Sequence, residues 1–178
     1  MEVTKLLSLF AIYFILLHDQ ITFVEGNDKI NKVCEKTPNK DLCIQVLTSD
    51  PMSEFATIPD LAMISLRVAA ANATGILTDV KMMIDDSDLE PEVQQGLADC
   101  KETLLDAEGQ LEDSIAAILS NAKNDIQLWL QAALAAIDTC DASIPGDDDI
   151  LSKRSVTFRE LCNIAVAISK NLANDDQV

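Results

Sequence analysis

Histidine is all but missing from this chain of 178 residues: the one copy, His18, stands in the N-terminal region, as does the one tyrosine, Tyr13. Without histidine in the body of the chain, no Ser-His or Cys-His pair can be built there. The commonest neutral-nitrogen metal ligand is absent as well. The five glycines, Gly26, Gly75, Gly96, Gly109 and Gly146, are isolated from one another, which excludes a glycine-rich phosphate loop. Positive charge is scarce too. Thirteen Lys and Arg face 30 Asp and Glu, a formal net charge of −17, and the basic residues are scattered. Such a chain does not suit nucleic-acid backbones or anionic membrane surfaces. Two of the many carboxylates could in principle work as acid and base. However, Asp85 with Asp86 and the run Asp147 to Asp149 fall where helices end or loops begin, and they read as solvated surface charge. Catalytic residues, cofactor-binding residues and metal ligands are therefore all expected to be none.

What is present begins with a leader. Lys5 precedes Leu6 to Leu17, twelve residues that are apolar apart from Ser8. That is the length of a signal-peptide core and short for a bilayer span. The rival reading, an anchor running on to Val24, is interrupted by His18, Asp19 and Gln20. Cleavage after Gly26, with Val24 as the other small residue, makes residues 1–26 a secretory signal and removes both His18 and Tyr13. The leader holds Lys5 against Glu2, Asp19 and Glu25, so its loss changes the net charge from −17 to −15. The remaining 152 residues suffice for one domain with a real core.

That body reads as helix throughout. Pro38, Pro51, Pro59, Pro91 and Pro145 divide it into segments rich in Ala, Leu, Lys, Glu and Gln, and proline and glycine are expected where helices stop. Val93, Leu97, Cys100, Leu104, Ala107, Leu111, Ser114 and Ile118 step by four and three without a slip. Comparable seams run from Leu66 to Ile84, from Ile126 to Cys140 and from Phe158 to Leu172. Four amphipathic helices of about 20 to 27 residues, roughly 30 to 40 Å long, predict an all-α fold, an antiparallel four-helix bundle. Asp60 is expected at the cap or in the first turn of the first long helix. Asp88 or Leu89 is expected just before the second, which opens at Pro91. Thr157 with Glu160 has capping-box spacing for the last, with Ser152 or Ser155 as other starts. Residues 28–48 read as two short helices broken at Thr37 and Pro38, a helical hairpin ahead of the bundle.

Five cysteines remain after the leader, and two bridges among five can be arranged in fifteen ways. Cys34 and Cys43 are close enough in sequence for a local bridge between the short helices. Cys100 and Cys140 both point into the bundle from adjacent helices, where a bond can form. Cys162 reads as a buried free thiol, with an intermolecular bridge as the alternative. Asn72-Ala73-Thr74 is an N-glycosylation triplet inside a predicted helix, so Asn72 is a candidate modification site. Trp129 is read as packed beside a core seam, with an exposed partner anchor as the rival.

Ile30 to Pro51 (INKVCEKTPNKDLCIQVLTSDP) resembles the opening hairpin of the plant invertase and pectin methylesterase inhibitor family. Leu97 to Ala107, Trp129 to Cys140 and Leu161 to Leu172 resemble its later helices in order and spacing. The resemblance implies a four-helix bundle with an N-terminal hairpin and the intrachain disulfides Cys34–Cys43 and Cys100–Cys140. It also implies a secreted, monomeric inhibitor of a carbohydrate-active enzyme of the cell wall or vacuole, bound 1:1 to its target. No nucleic acid, cofactor or membrane is involved once the signal is removed. The domain would span residues 27–178, with the hairpin in 27–50 and the bundle in 60–174. The Pro-Lys-Phe motif of invertase inhibitors is missing from Asn121 to Leu130, which places the chain closer to pectin methylesterase inhibitors. Ala135 and Ala136, and Asp141 to Ser143, depart in turn from the pattern usual in pectin methylesterase inhibitors. Acid invertase remains the second target, and a non-inhibitory storage or allergen-like role the third reading.

Overall fold

The computed structural model describes residues 28–86, 88–146 and 151–174. The expected leader and the run Asp147 to Asp149 lie outside the described residues. Two short helices, α1 (residues 28–34) and α2 (Lys40–Thr48), are followed by a 3-10 turn at Pro51–Phe55. Four long helices complete the fold: α3 (Ile58–Ile84), α4 (Pro91–Leu119), α5 (Lys123–Ser143) and α6 (Ser152–Asn174). Each packs on two neighbours in the cyclic order α3, α4, α5, α6. Lys123 on α5 bonds Leu172 O on α6, while Arg159 of α6 meets Asp138 of α5, so these two helices run antiparallel. The four-helix bundle with its appended hairpin follows the periodicity.

The seams are where the core lies. Leu97, Cys100, Leu104, Ala107, Leu111 and Ser114 of α4 are buried, as are Ile126, Leu130, Ala133, Ile137 and Cys140 of α5. α6 buries more than one stripe, since Phe158, Leu161, Cys162, Ile164, Ala165, Val166, Ile168 and Leu172 are all in the core. Each fully buried Leu, Ile or Phe contributes about 1.5–3 kcal/mol, so this interior outweighs the exposed ion pairs at about 0–1 kcal/mol each. Among the described residues α3 alone is long and apolar enough to cross a membrane, and half of its apolar window is buried inside the bundle. Trp129 is half-buried against the core.

Several ends differ from expectation. The bundle opens at Ile58, with Thr57 as the cap of α3 and Asp60 at the third helical position, in a reciprocal capping box. The Thr57 hydroxyl donates to Asp60 Oδ2 at 2.6 Å and the Thr57 N–H donates to the same oxygen at 2.9 Å. These two bonds hold the Asp60 carboxyl below its ordinary range. Glu90 caps α4, not Asp88 or Leu89, without a side-chain capping bond, and Pro91 at the first helical position lacks an N–H that would otherwise be unpaired there. α6 begins at Ser152, so Thr157 stands within it and donates to Lys153 O. The expectation that glycine marks helix stops fails at Gly75, Gly96 and Gly109, which lie inside α3 and α4. Gly96 is there because of what it faces. A Cβ at that position would lie 2.3 Å from Ser143 O and 2.9 Å from Ile144 Cα. The turn from α4 to α5 is tight, closed by Asn121 at φ 57°, a left-handed conformation that asparagine tolerates.

Candidate functional site

The cysteines act as staples at two places. Cys34 is bonded to Cys43 with Cα atoms 5.6 Å apart, which closes the hairpin. Cys100 is bonded to Cys140, which ties α4 to α5 one turn from the close approach at Gly96. Ser143 Oγ also donates to Gly96 O at 2.8 Å across the same junction. The hairpin is held to the rest by polar contacts as well as by its buried Ile30, Val33, Val46 and Leu47. Lys36 Nζ donates to Asn171 of α6, and Lys29 Nζ donates to Ala56 O.

Cys162 is a free thiol, fully buried, and burial pushes its pKa from 9.0 to about 12. The thiolate is the reactive form, so the folded protein keeps this sulfur inert. We expect no alkylation of Cys162 by iodoacetamide at pH 8 in the native protein, and stoichiometric alkylation after unfolding in guanidinium, read by mass spectrometry. The pH dependence has a definite sign. The thiol stays protonated in the folded state while the unfolded chain ionises, so this contribution is present below pH 9 and is lost between pH 9 and about 12.

The surface is electrically uneven. α4 and α5 together hold ten carboxylates and two lysines, whereas α6 holds four basic residues and one glutamate. Asp99, Glu102, Asp106 and Asp113 are exposed at spacings of three, four and seven, which puts them on one outward stripe of α4. The outward stripe of α5 is less charged, with exposed Leu128, Gln131 and Ala135 between Asp125 and Asp138. One charged cluster crosses helices. Arg159 of α6 donates through Nε to Asp138 at 2.8 Å and through a terminal nitrogen to Asp141 at 2.5 Å, while Ser155 Oγ donates to Asp141 at 2.6 Å. Burial opposes the Arg159 charge, but the bonds to Asp141 and Asp138 outweigh it and hold the guanidinium above its ordinary pKa. Sequence reading passed over this cluster, whose members stand 14 to 21 residues apart on two helices.

Among the described residues no group of three His, Cys, Asp or Glu side chains is placed to hold a metal ion. A shallow recess of about 280 Å3 lies between the hairpin and α6, lined by Pro38, Asn39, Lys40, Asp41, Glu160 and Asn163. Asn72 is half-buried on α3, and its triplet partner Thr74 is exposed and donates to Glu108 of α4.

These features define a class: a disulfide-stapled helical bundle that offers rigid helix faces to a partner. The family described as plant invertase/pectin methylesterase inhibitor matches residues 28–168, and the chain belongs to it. A pectinesterase inhibitor of Actinidia deliciosa is 28% identical over 149 residues, 82% of this chain and 80% of that protein. A Platanus orientalis protein named "Putative invertase inhibitor" is 28% identical over 94% of this chain and 98% of its own length. The crystal structure of a mutant form of a pectin methylesterase inhibitor from Arabidopsis is similar with a TM-score of 0.66 at 26% identity, covering 80% of this chain and 95% of that one.

Proposed function

We propose that this chain is a secreted protein inhibitor of a plant pectin methylesterase, with no catalysis of its own, which blocks the enzyme's substrate cleft by reversible 1:1 binding. The observation that carries the reading is the match of its bundle to nearly the whole of a pectin methylesterase inhibitor chain, at an identity above chance and with family coverage from the hairpin to α6. Physical features agree with it. Rigid helix faces lose little conformational freedom on docking, which leaves more of the contact energy for affinity. Leu119 at the end of α4 and Leu128 on α5 are large apolar side chains left exposed, surface that a protein partner can cover. The domain would comprise residues 27–178 and would reach the extracellular space after loss of residues 1–26.

A second reading, inhibition of acid invertase, is favoured by the Platanus relative, whose match extends over almost its entire length. Titration of purified enzyme separates the two. We expect pectin methylesterase activity to fall linearly with added protein and to reach its floor near one equivalent at mildly acidic pH, with acid invertase unaffected. The opposite pattern selects invertase, and full activity of both enzymes at a large excess of this protein rejects both readings.

A further inference from the structure

We propose that Asn72 carries an N-linked oligosaccharide, which leaves the bundle on the side where α3 meets α6. The sequence holds one Asn-x-Ser/Thr triplet, Asn72-Ala73-Thr74, and no proline interrupts it. The triplet lies at the surface of α3, with Asn72 half-buried and Thr74 exposed. Asn72 Oδ1 is buried and has no hydrogen-bond partner. Asn72 thus stands at the surface of the bundle beside exposed Thr74, and the sugar would be joined to its amide nitrogen.

Helix spacing fixes the side of exit. Asn72, Gly75 and Asp79 follow one another by three and four residues and share a stripe of α3. Asp79 pairs with Arg154 of α6 at 2.7 Å, and a Cβ on Gly75 would lie 3.8 Å from the same guanidinium. Thr74 faces the other way, onto Glu108 of α4. A glycan at Asn72 therefore stands along the α3–α6 edge and leaves the carboxylate-rich stripe of α4 uncovered.

The position within a helix is no obstacle, because transfer precedes folding. Without its partners in the bundle, α3 has only intrinsic propensity to hold it, and a nascent segment can present the triplet in extended form. In the reaction, Asn72 Nδ2 loses a proton to a base of the transferase and forms a bond to the anomeric carbon of the sugar. The bond from that carbon to the diphosphate of a polyprenyl-diphosphate oligosaccharide breaks, and the lipid diphosphate departs with the electron pair. The proposal rests on the secretory part of the proposed function, since the donor faces the lumen of that pathway.

The test is expression of the full chain in plant cells with its own leader, and in parallel with a proven leader in its place. Intact mass and peptide mapping are read before and after a glycan-removing amidase. We expect protein in the medium with the mass excess of one glycan, and conversion of Asn72 to Asp on amidase treatment. Thr74→Ala abolishes the excess, and Thr74→Ser, which keeps the triplet, retains it. Secreted protein at unmodified mass overturns the proposal with either leader. Retention with the native leader, together with a glycan at Asn72 under the proven one, supports the site and rejects native secretion, so the two failures are told apart.

Discussion

Gly96→Ala lowers the unfolding free energy by about 1–3 kcal/mol, whereas Gly109→Ala, on the same helix, raises it by about 0.5–1 kcal/mol. Glycine inside a helix ordinarily costs stability, because it gives up more backbone freedom than alanine does, and that is the whole story at Gly109. A Cβ there has nothing within 4 Å. At Gly96 the same methyl group would lie 2.3 Å from Ser143 O and 3.0 Å from Pro145 Cδ, with the Ile144 Cα between them in distance. Two of these three are backbone atoms, and neither can swing aside as the tip of a flexible side chain can. To fit the methyl, the end of α5 has to move away from α4, and the bond from Ser143 Oγ to Gly96 O is lost with it. The gain in helix propensity is smaller than this steric cost, so the sign reverses. Urea denaturation of both variants beside the parent decides the matter, and stabilisation of Gly96→Ala would show that the close approach is not as described.

Replacement of Cys100 and Cys140 together by alanine has a larger effect, a loss of about 4 kcal/mol, against about 3 kcal/mol as the upper guide for Cys34 with Cys43. The difference follows from sequence separations of 40 and 9 residues, because the longer closed loop removes more freedom from the unfolded chain. Total stabilities of about 5–15 kcal/mol leave little after such a loss, and for a chain of this size each kcal/mol shifts Tm by about 2–4 °C. We expect Tm to fall by about 8–16 °C for the bundle pair in circular dichroism melts. The hairpin pair should alter the main transition less, since α1 and α2 lie outside the ring of long helices. A main transition more sensitive to the hairpin bridge than to the bundle bridge would contradict this architecture.

Much of this fold was legible because burial repeats. Leu97, Cys100, Leu104, Ala107 and Leu111 form a seam that only a helix with one buried side can explain, and all five are buried. The break near Pro38 was equally plain, as proline forbids continuation there. What stayed hidden depended on a second element. Gly96 looks like any isolated glycine until the end of α5 is placed against it. Asp138, Asp141 and Arg159 are ordinary surface charges in a linear reading, and become a cluster only once α5 and α6 run antiparallel. The box formed by Thr57 and Asp60 was readable in principle, since its spacing is local, but Pro59 drew the expected start two residues too far on. Periodicity separates inside from outside and does not rank the outer faces, so no interaction surface could be chosen from it.

The unequal sharing of charge between α4–α5 and α6 gives the molecule a front and a back before it touches anything. Its overall negative sign sets the attraction felt at long range, and the uneven sharing adds an orientation to it. A positively charged cleft at a few tens of ångströms in dilute salt would turn the protein so that α4 leads and α6 trails. Encounters thus begin partly aligned, and the alignment fades as ionic strength rises, although every helix stays where it was.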